Sequence, residues 1–361
     1  MTLWSIRPYV RRLGTVAGVV LLALGMMAAC RPEVPGLPAL AARLDGTTVS
    51  GVSSGAYMAG QFHLAHSRIV TGAALIAGGP YGCAQSVYTR GIFGPGSALI
   101  NASRAINGCM GNDLAAWGVP NPQQLAEQAR GFASEGRIDP LDTMIGDRIY
   151  LFSGTKDETV LPEIGVAALR FYERIGVPAD HIKRVADMPA GHGFIAEAKG
   201  VACSTTAQPY INDCGYDQAG DLLTFLLGPL SKPDATAKVE RLVFDQHAFA
   251  KDLIDHGLAR EGVVLVPERC RTEAGCRIHI AYHGCRQSRA IVGDTFIEDS
   301  GYGRWAGPNR LIVLMPQAEA STANPYGCWD WWGYTGTDYL TRKGPQIVAV
   351  RRMLDRLAAA K

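Results

Sequence analysis

Apolar residues along the chain gather in short β-branched runs, separated by segments in which they recur at helical spacing. The runs 71–79, 148–152, 181–186, 239–244, 262–266, 277–282 and 310–315 predict strands. Segments 122–134, 161–175 and 218–227 predict helices, as does 345–359, where Ile347, Val350, Met353, Leu354 and Leu357 share one face. Ahead of them all, Thr47, Thr48 and Val49 begin a strand that runs through Gly51-Val52-Ser53-Ser54-Gly55 into a helix-compatible stretch bearing Tyr57, Met58, Phe62 and Leu64. Such alternation predicts an α/β fold with a mostly parallel sheet flanked by helices.

Strand, tight turn and helix around a G-x-S-x-G pentapeptide make a nucleophile elbow, which puts Ser53 on the strained turn and the Ser54 N–H at the helix start. Serine chemistry needs a base and an acid. Asp157 follows the 148–152 strand and His192 lies in Gly191-His192-Gly193, so Ser53, Asp157 and His192 occur in the chain order of an α/β-hydrolase triad. Glu158 is the alternative acid; His181, His247 and His283 are the alternative bases, although His181 begins a predicted strand and His283 sits in His283-Gly284-Cys285, a loop suited to the oxyanion. The N–H groups of Ser54 and Cys285 are the expected oxyanion donors. In an ordinary α/β-hydrolase several strands precede the nucleophile. Here they follow the 228–238 stretch, which predicts a circularly permuted α/β-hydrolase of one domain over 44–361.

Residues 1–29 stand outside this fold: Arg7, Arg11 and Arg12 precede an apolar stretch ending in small residues, the pattern of an export signal. Met27-Ala28-Ala29-Cys30 resembles a bacterial lipobox, so membrane attachment through a lipidated Cys30 is a second expectation. A proline-bearing linker, 30–43, follows, with little reason to fold. Loss of 1–29 removes three arginines and no acid, taking 35 basic residues to 32 against 33 acidic ones. That near-neutral balance gives no footing for nucleic acid. The nine cysteines leave eight beside Cys30, an even count that in an exported chain favours disulfides. Sequence proximity favours Cys270 with Cys276 and Cys203 with Cys214, which would leave Cys83 with Cys109 and Cys285 with Cys328; the count alone allows 105 arrangements. With no C-x-x-C spacing, no metal or other cofactor is expected.

The most unusual composition is Asn324-Pro325-Tyr326-Gly327-Cys328-Trp329-Asp330-Trp331-Trp332-Gly333-Tyr334, with three of the six tryptophans. Together with GVSSGAYMAGQFHLAHS, AGGPYGCAQ, FSGTKDETV, AGHGF and YHGC, it resembles the catalytic domain of poly(3-hydroxybutyrate) depolymerases of the single-domain, permuted type, over roughly 44–359. The resemblance implies hydrolysis of polyhydroxyalkanoate esters by Ser53, Asp157 and His192, with Ser54 and Cys285 as oxyanion donors and Trp329, Trp331 and Trp332 contacting polymer or oligomer. Many secreted depolymerases carry a further adsorbing domain; its absence before Lys361 points the expectation to oligomers or amorphous chains. The competing readings are an exported feruloyl- or acetyl-type polysaccharide esterase and a non-catalytic polymer-binding lipoprotein.

Overall fold

The computed structural model describes residues 33–85, 98–111 and 118–361; the signal-like stretch 1–29 and Cys30 lie outside them. Eight strands form the main sheet: β1 (Thr47–Val52), β2 (Val70–Ile76), β3 (Arg148–Phe152), β4 (Ile182–Val185), β8 (Val239–Asp245), β9 (Glu261–Pro267), β10 (Arg277–Tyr282) and β11 (Leu311–Met315). Their order is β4-β3-β2-β1-β10-β11-β9-β8. Only β9 runs against its neighbours, β11 and β8. A separate three-stranded parallel sheet, β5 (Phe194–Ala196), β7 (Ile211–Asp213) and β6 (Val201–Ala202), follows the His192 loop.

Alternation along each strand decides which helix layer a side chain meets. In β11, Ile312 and Leu314 join the core beneath the Ser54–Ala65 and Pro345–Ala358 helices, while Leu311, Val313 and Met315 join the opposite core with Leu222, Leu223 and Leu226 of the Gln218–Leu227 helix. Both faces are covered, so the central strands read as unbroken apolar runs rather than alternating ones.

Numbered from β8 onward in chain order, with β1 to β4 as fifth to eighth, the sheet reads 1-2-4-3-5-6-7-8 with the second strand reversed. That is the α/β-hydrolase sheet with its chain order rotated, as the sequence predicts. The rotation needs the C-terminal helix to meet the entry to β1, and it does: Leu40 N–H and Ala42 N–H both donate to Leu357 O at 3.0 Å, and Ala41 N–H donates to Ala359 O at 3.0 Å.

This contact corrects one expectation. The segment read as a linker is ordered structure from Gly36 onward, within a unit that runs to Lys361. Leu37 and Leu40 are buried in the main core, and Arg356 Nε donates to Leu37 O at 2.9 Å. Two leucines among prolines have no periodicity to betray them; a helix face waiting for cover gives them a place. A smaller correction is that His181 closes the turn Ala179–His181, and β4 starts only at Ile182. Among the described residues no helix is long and apolar enough to cross a membrane.

Candidate active site

Ser53 sits between β1 and the helix Ser54–Ala65 with φ 57° and ψ −122°, a conformation that a side-chain-bearing residue rarely adopts. The two motif glycines make that turn possible. A Cβ on Gly51 would lie 2.1 Å from Gly55 O, and a Cβ on Gly55 would lie 2.4 Å from His283 O, so the helix start packs directly on the backbone that follows β10. The turn is also pinned from the other side, where Ser53 N–H donates to Ile76 O at 2.9 Å. Ser53 is half-buried and its hydroxyl has no side-chain hydrogen bond among the described residues.

Two strands away, β3 ends in a turn that carries Asp157. Its Oδ1 accepts from the N–H groups of Thr159 and Val160, both at 2.9 Å, which locks the carboxylate; Oδ2 accepts from His192 Nδ1–H at 2.8 Å. Both side chains are buried. His192 is held through its own N–H, which donates to Thr206 Oγ1 at 2.9 Å. The fold thus joins Asp157 to His192, leaves Glu158 outside the pair, and puts Ser53 and this pair beyond the carboxyl ends of parallel strands, where open α/β sheets keep their reacting groups. With Nδ1–H engaged, Nε2 is the ring nitrogen left to accept a proton.

The His283-Gly284-Cys285 loop is set by its histidine. His283 Nδ1–H donates to Gly284 O at 2.7 Å and Nε2 accepts from Ala318 N–H at 3.0 Å, so the ring is neutral with one nitrogen in each role; burial lowers its pKa to about 4. In a trans peptide the carbonyl and the next N–H point opposite ways. Holding Gly284 O therefore turns the Cys285 N–H away from the His283 ring, with no protein acceptor among the described residues. Gly284 N–H donates to Gln287 Oε1 at 2.8 Å, and the Cys285–Cys328 disulfide ties the loop to the tryptophan segment. The other three disulfides are Cys203–Cys214 and Cys270–Cys276, the two pairs that sequence proximity favours, and Cys83–Cys109, which with Cys285–Cys328 makes up the remainder.

The three tryptophans separate. Trp329 is completely buried, edge-on to Tyr282 with centroids 4.9 Å apart, so it is a core residue and offers no face to a ligand. Its part in this region is through the backbone, with its N–H donating to Ser54 Oγ at 3.2 Å. Trp331 is buried as well, stacked on Tyr57 at 4.3 Å, so of the three only Trp332, edge-on to Trp331, is partly exposed. Asp330, between them, organises the loop. Its buried carboxylate accepts from the N–H groups of Trp332, Gly333, Tyr334 and Thr335 and from Thr335 Oγ1. Sequence reasoning missed Asp330, although an aspartate followed by Trp-Trp-Gly-Tyr-Thr is a turn signal. Among the described residues no cluster of three or more His, Cys, Asp or Glu side chains is placed to hold a metal ion.

No protein-family model matches the chain. A polyhydroxybutyrate depolymerase of Talaromyces funiculosus is 30% identical over 91% of this chain and 94% of its own length. The chain belongs to the polyhydroxybutyrate depolymerase family. A poly(3-hydroxybutyrate) depolymerase of Delftia acidovorans is 37% identical over 90% of this chain, which spans 62% of that protein's length. Two solved polyhydroxybutyrate depolymerase structures share the fold. One, carrying a serine-to-alanine substitution and complexed with an R3HB trimer, superposes with a TM-score of 0.76 at 28% identity; the other, from Penicillium funiculosum, has a TM-score of 0.75 at 27% identity. Each match covers 90% of this chain and 98% of the solved one.

Proposed function

We propose that this protein is an exported serine esterase that hydrolyses poly(3-hydroxybutyrate) or its oligomers. The observation that carries the reading is the strained elbow serine on the central strand, combined with a buried His192–Asp157 pair beyond the next strand but one. Family membership supplies the substrate class.

In this mechanism Ser53 Oγ attacks the ester carbonyl as His192 Nε2 takes its proton. Asp157 holds the imidazole in the tautomer that leaves Nε2 bare and stabilises the imidazolium that forms. The N–H groups of Cys285 and Ser54 receive the charge on the carbonyl oxygen; one such donor is worth roughly 3 to 4 kcal/mol. The C–O bond then breaks, the leaving alkoxide takes the proton from His192, and the acyl group stays on Ser53. Water, deprotonated by the same His192, releases the acid and restores the serine. Trp332, the partly exposed one of the three, is the tryptophan assigned to the polymer.

Export is supported by the signal-like first 29 residues and by four disulfides, which persist in oxidising compartments. Lipidation of Cys30 is part of the proposal, and mass spectrometry of the mature N-terminus tests it.

The deciding experiment follows the clearing of an amorphous poly(3-hydroxybutyrate) suspension by the mature protein, with Ser53→Ala beside it and the soluble products identified. Clearing with release of 3-hydroxybutyrate or short oligomers, abolished by the substitution, is the expected result. Failure to clear, with p-nitrophenyl butyrate still cleaved through Ser53, would keep the esterase and reject the polyester.

A further inference from the structure

Resting on that reading, we propose that Arg286 binds the free carboxylate of a 3-hydroxybutyrate oligomer and so directs cleavage to the last ester bond before the carboxyl end.

Arg286 directly follows the proposed oxyanion donor, and its backbone is fixed. It takes φ 58°, its N–H donates to Tyr326 O at 2.7 Å, and the preceding residue is tied by the Cys285–Cys328 disulfide. The exposed guanidinium lies 3.9 Å above the Tyr326 ring, and the Arg286 carbonyl accepts from Gln208 Nε2, two residues before Tyr210, at 3.4 Å. No carboxylate pairs with it among the described residues. A cation that is backbone-anchored and stacked, yet without an acid, is prepared for an anion from outside.

Position says which anion. Tyr210 belongs to the loop behind His192: its carbonyl accepts from Phe194 N–H at 2.9 Å and from Gln287 Nε2 at 3.0 Å, and a Cβ on Gly193 would lie 2.8 Å from that oxygen. Arg286 therefore stands between the oxyanion loop and the His192 loop. His192 hands its proton to the departing alkoxide, so its side of the cleft receives the leaving unit. In a polyester of 3-hydroxybutyrate the alcohol half of each ester leads toward the carboxyl end. The chain's one charged group is the terminal carboxylate, which every leaving fragment carries, but it lies one unit from the departing alkoxide, beside the oxyanion loop, only when the last ester is the bond cut. Hydrolysis in that register releases 3-hydroxybutyrate monomer.

The test compares kcat/KM for the 3-hydroxybutyrate trimer as free acid and as methyl ester in the wild type, Arg286→Asn and Arg286→Lys. Asparagine tolerates the left-handed backbone at this position, so that variant removes the charge without forcing the loop. The wild type should favour the acid by about fivefold, the upper range for an exposed ion pair, and the preference should shrink as salt rises from about 0.05 to about 0.5 M. The asparagine variant should bring the ratio to about one at either salt, and the lysine variant should keep part of it. Equal efficiencies in the wild type, or a parallel fall on both substrates in Arg286→Asn, would overturn the assignment while leaving the esterase intact. Cleavage of p-nitrophenyl butyrate but of neither trimer would overturn the polyester reading and this one with it.

Discussion

Replacing Asp157 by asparagine separates geometry from proton placement. Asp157 Oδ1 accepts two backbone N–H groups at 2.9 Å and Oδ2 one imidazole N–H at 2.8 Å. An amide in the same position must present its oxygen to the Thr159 and Val160 donors, because the flipped amide would set NH2 against two N–H groups and forfeit two hydrogen bonds of about 1 kcal/mol each. The NH2 group then faces His192 Nδ1 and demands a bare nitrogen there. The ring proton moves to Nε2, which can no longer accept from Ser53. A wrong tautomer of this kind costs about ten-thousandfold in rate, or about 5 kcal/mol of transition-state stabilisation. Asp157→Ala imposes no tautomer, so it should retain at least about ten times the activity of Asp157→Asn despite the cruder substitution. Initial rates on p-nitrophenyl butyrate, with thermal midpoints showing both variants folded, check this. An asparagine variant within tenfold of the wild type, or one that outperforms alanine, would refute the reasoning.

Other outcomes follow from the same geometry. Gly51→Ala sets a Cβ 2.1 Å from Gly55 O; with backbone on both sides, it should cost about 3 kcal/mol or more, read as a fall in the thermal midpoint. Opening Cys285–Cys328 by a double serine substitution frees the oxyanion loop. It should lower kcat by up to about a hundredfold and stability by up to about 4 kcal/mol, seen in rate assays and urea titration. His279 and His283 are buried neutral, with pKa values lowered from 6.5 to about 3 and about 4 by desolvation. Between pH 6.5 and 4 the unfolded chain takes up protons that the folded chain refuses, so these two sites remove stability as pH falls, by about 3 kcal/mol per pH unit together. Urea midpoints that stay level between pH 7 and pH 5 would contradict this.

Much of the site could be read before folding because its chemistry is local. The elbow lies within five consecutive residues, and the runs 148–152 and 277–282 leading to Asp157 and His283 are long enough to show as strands. What escaped depends on distant partners. His279 looks like a polar interruption of a strand, yet its ring bridges Thr48 Oγ1 at 2.8 Å and Ser50 Oγ at 2.7 Å on the neighbouring β1, and Ser50 continues to Tyr302. β6 has two residues and β5 and β7 three each, too short for any period to register. Trp329 and Trp332 lie three residues apart in one loop, and it is the Tyr282 and His283 rings, brought by β10 and the loop after it, that cover the first.

The rotated chain order has a consequence for how the molecule is made. Synthesis delivers β1 to β4 first, and β1 can pair with β2 at once, Thr48 beside Gly72. Its other neighbour, β10, where Thr48 meets His279, is translated only in the last third of the chain. Until then the strand that carries the nucleophile is an open edge at what will be the centre of the sheet, with unpaired N–H and C=O groups available to other chains. Closure of this central seam is a long-range, late event, which slows folding and raises the demand for chaperoning. Reopening the chain within 228–238 and splicing the Pro345–Ala358 helix to the entry of β1 would build the same sheet inward from β8, with an unchanged active site and a different refolding yield.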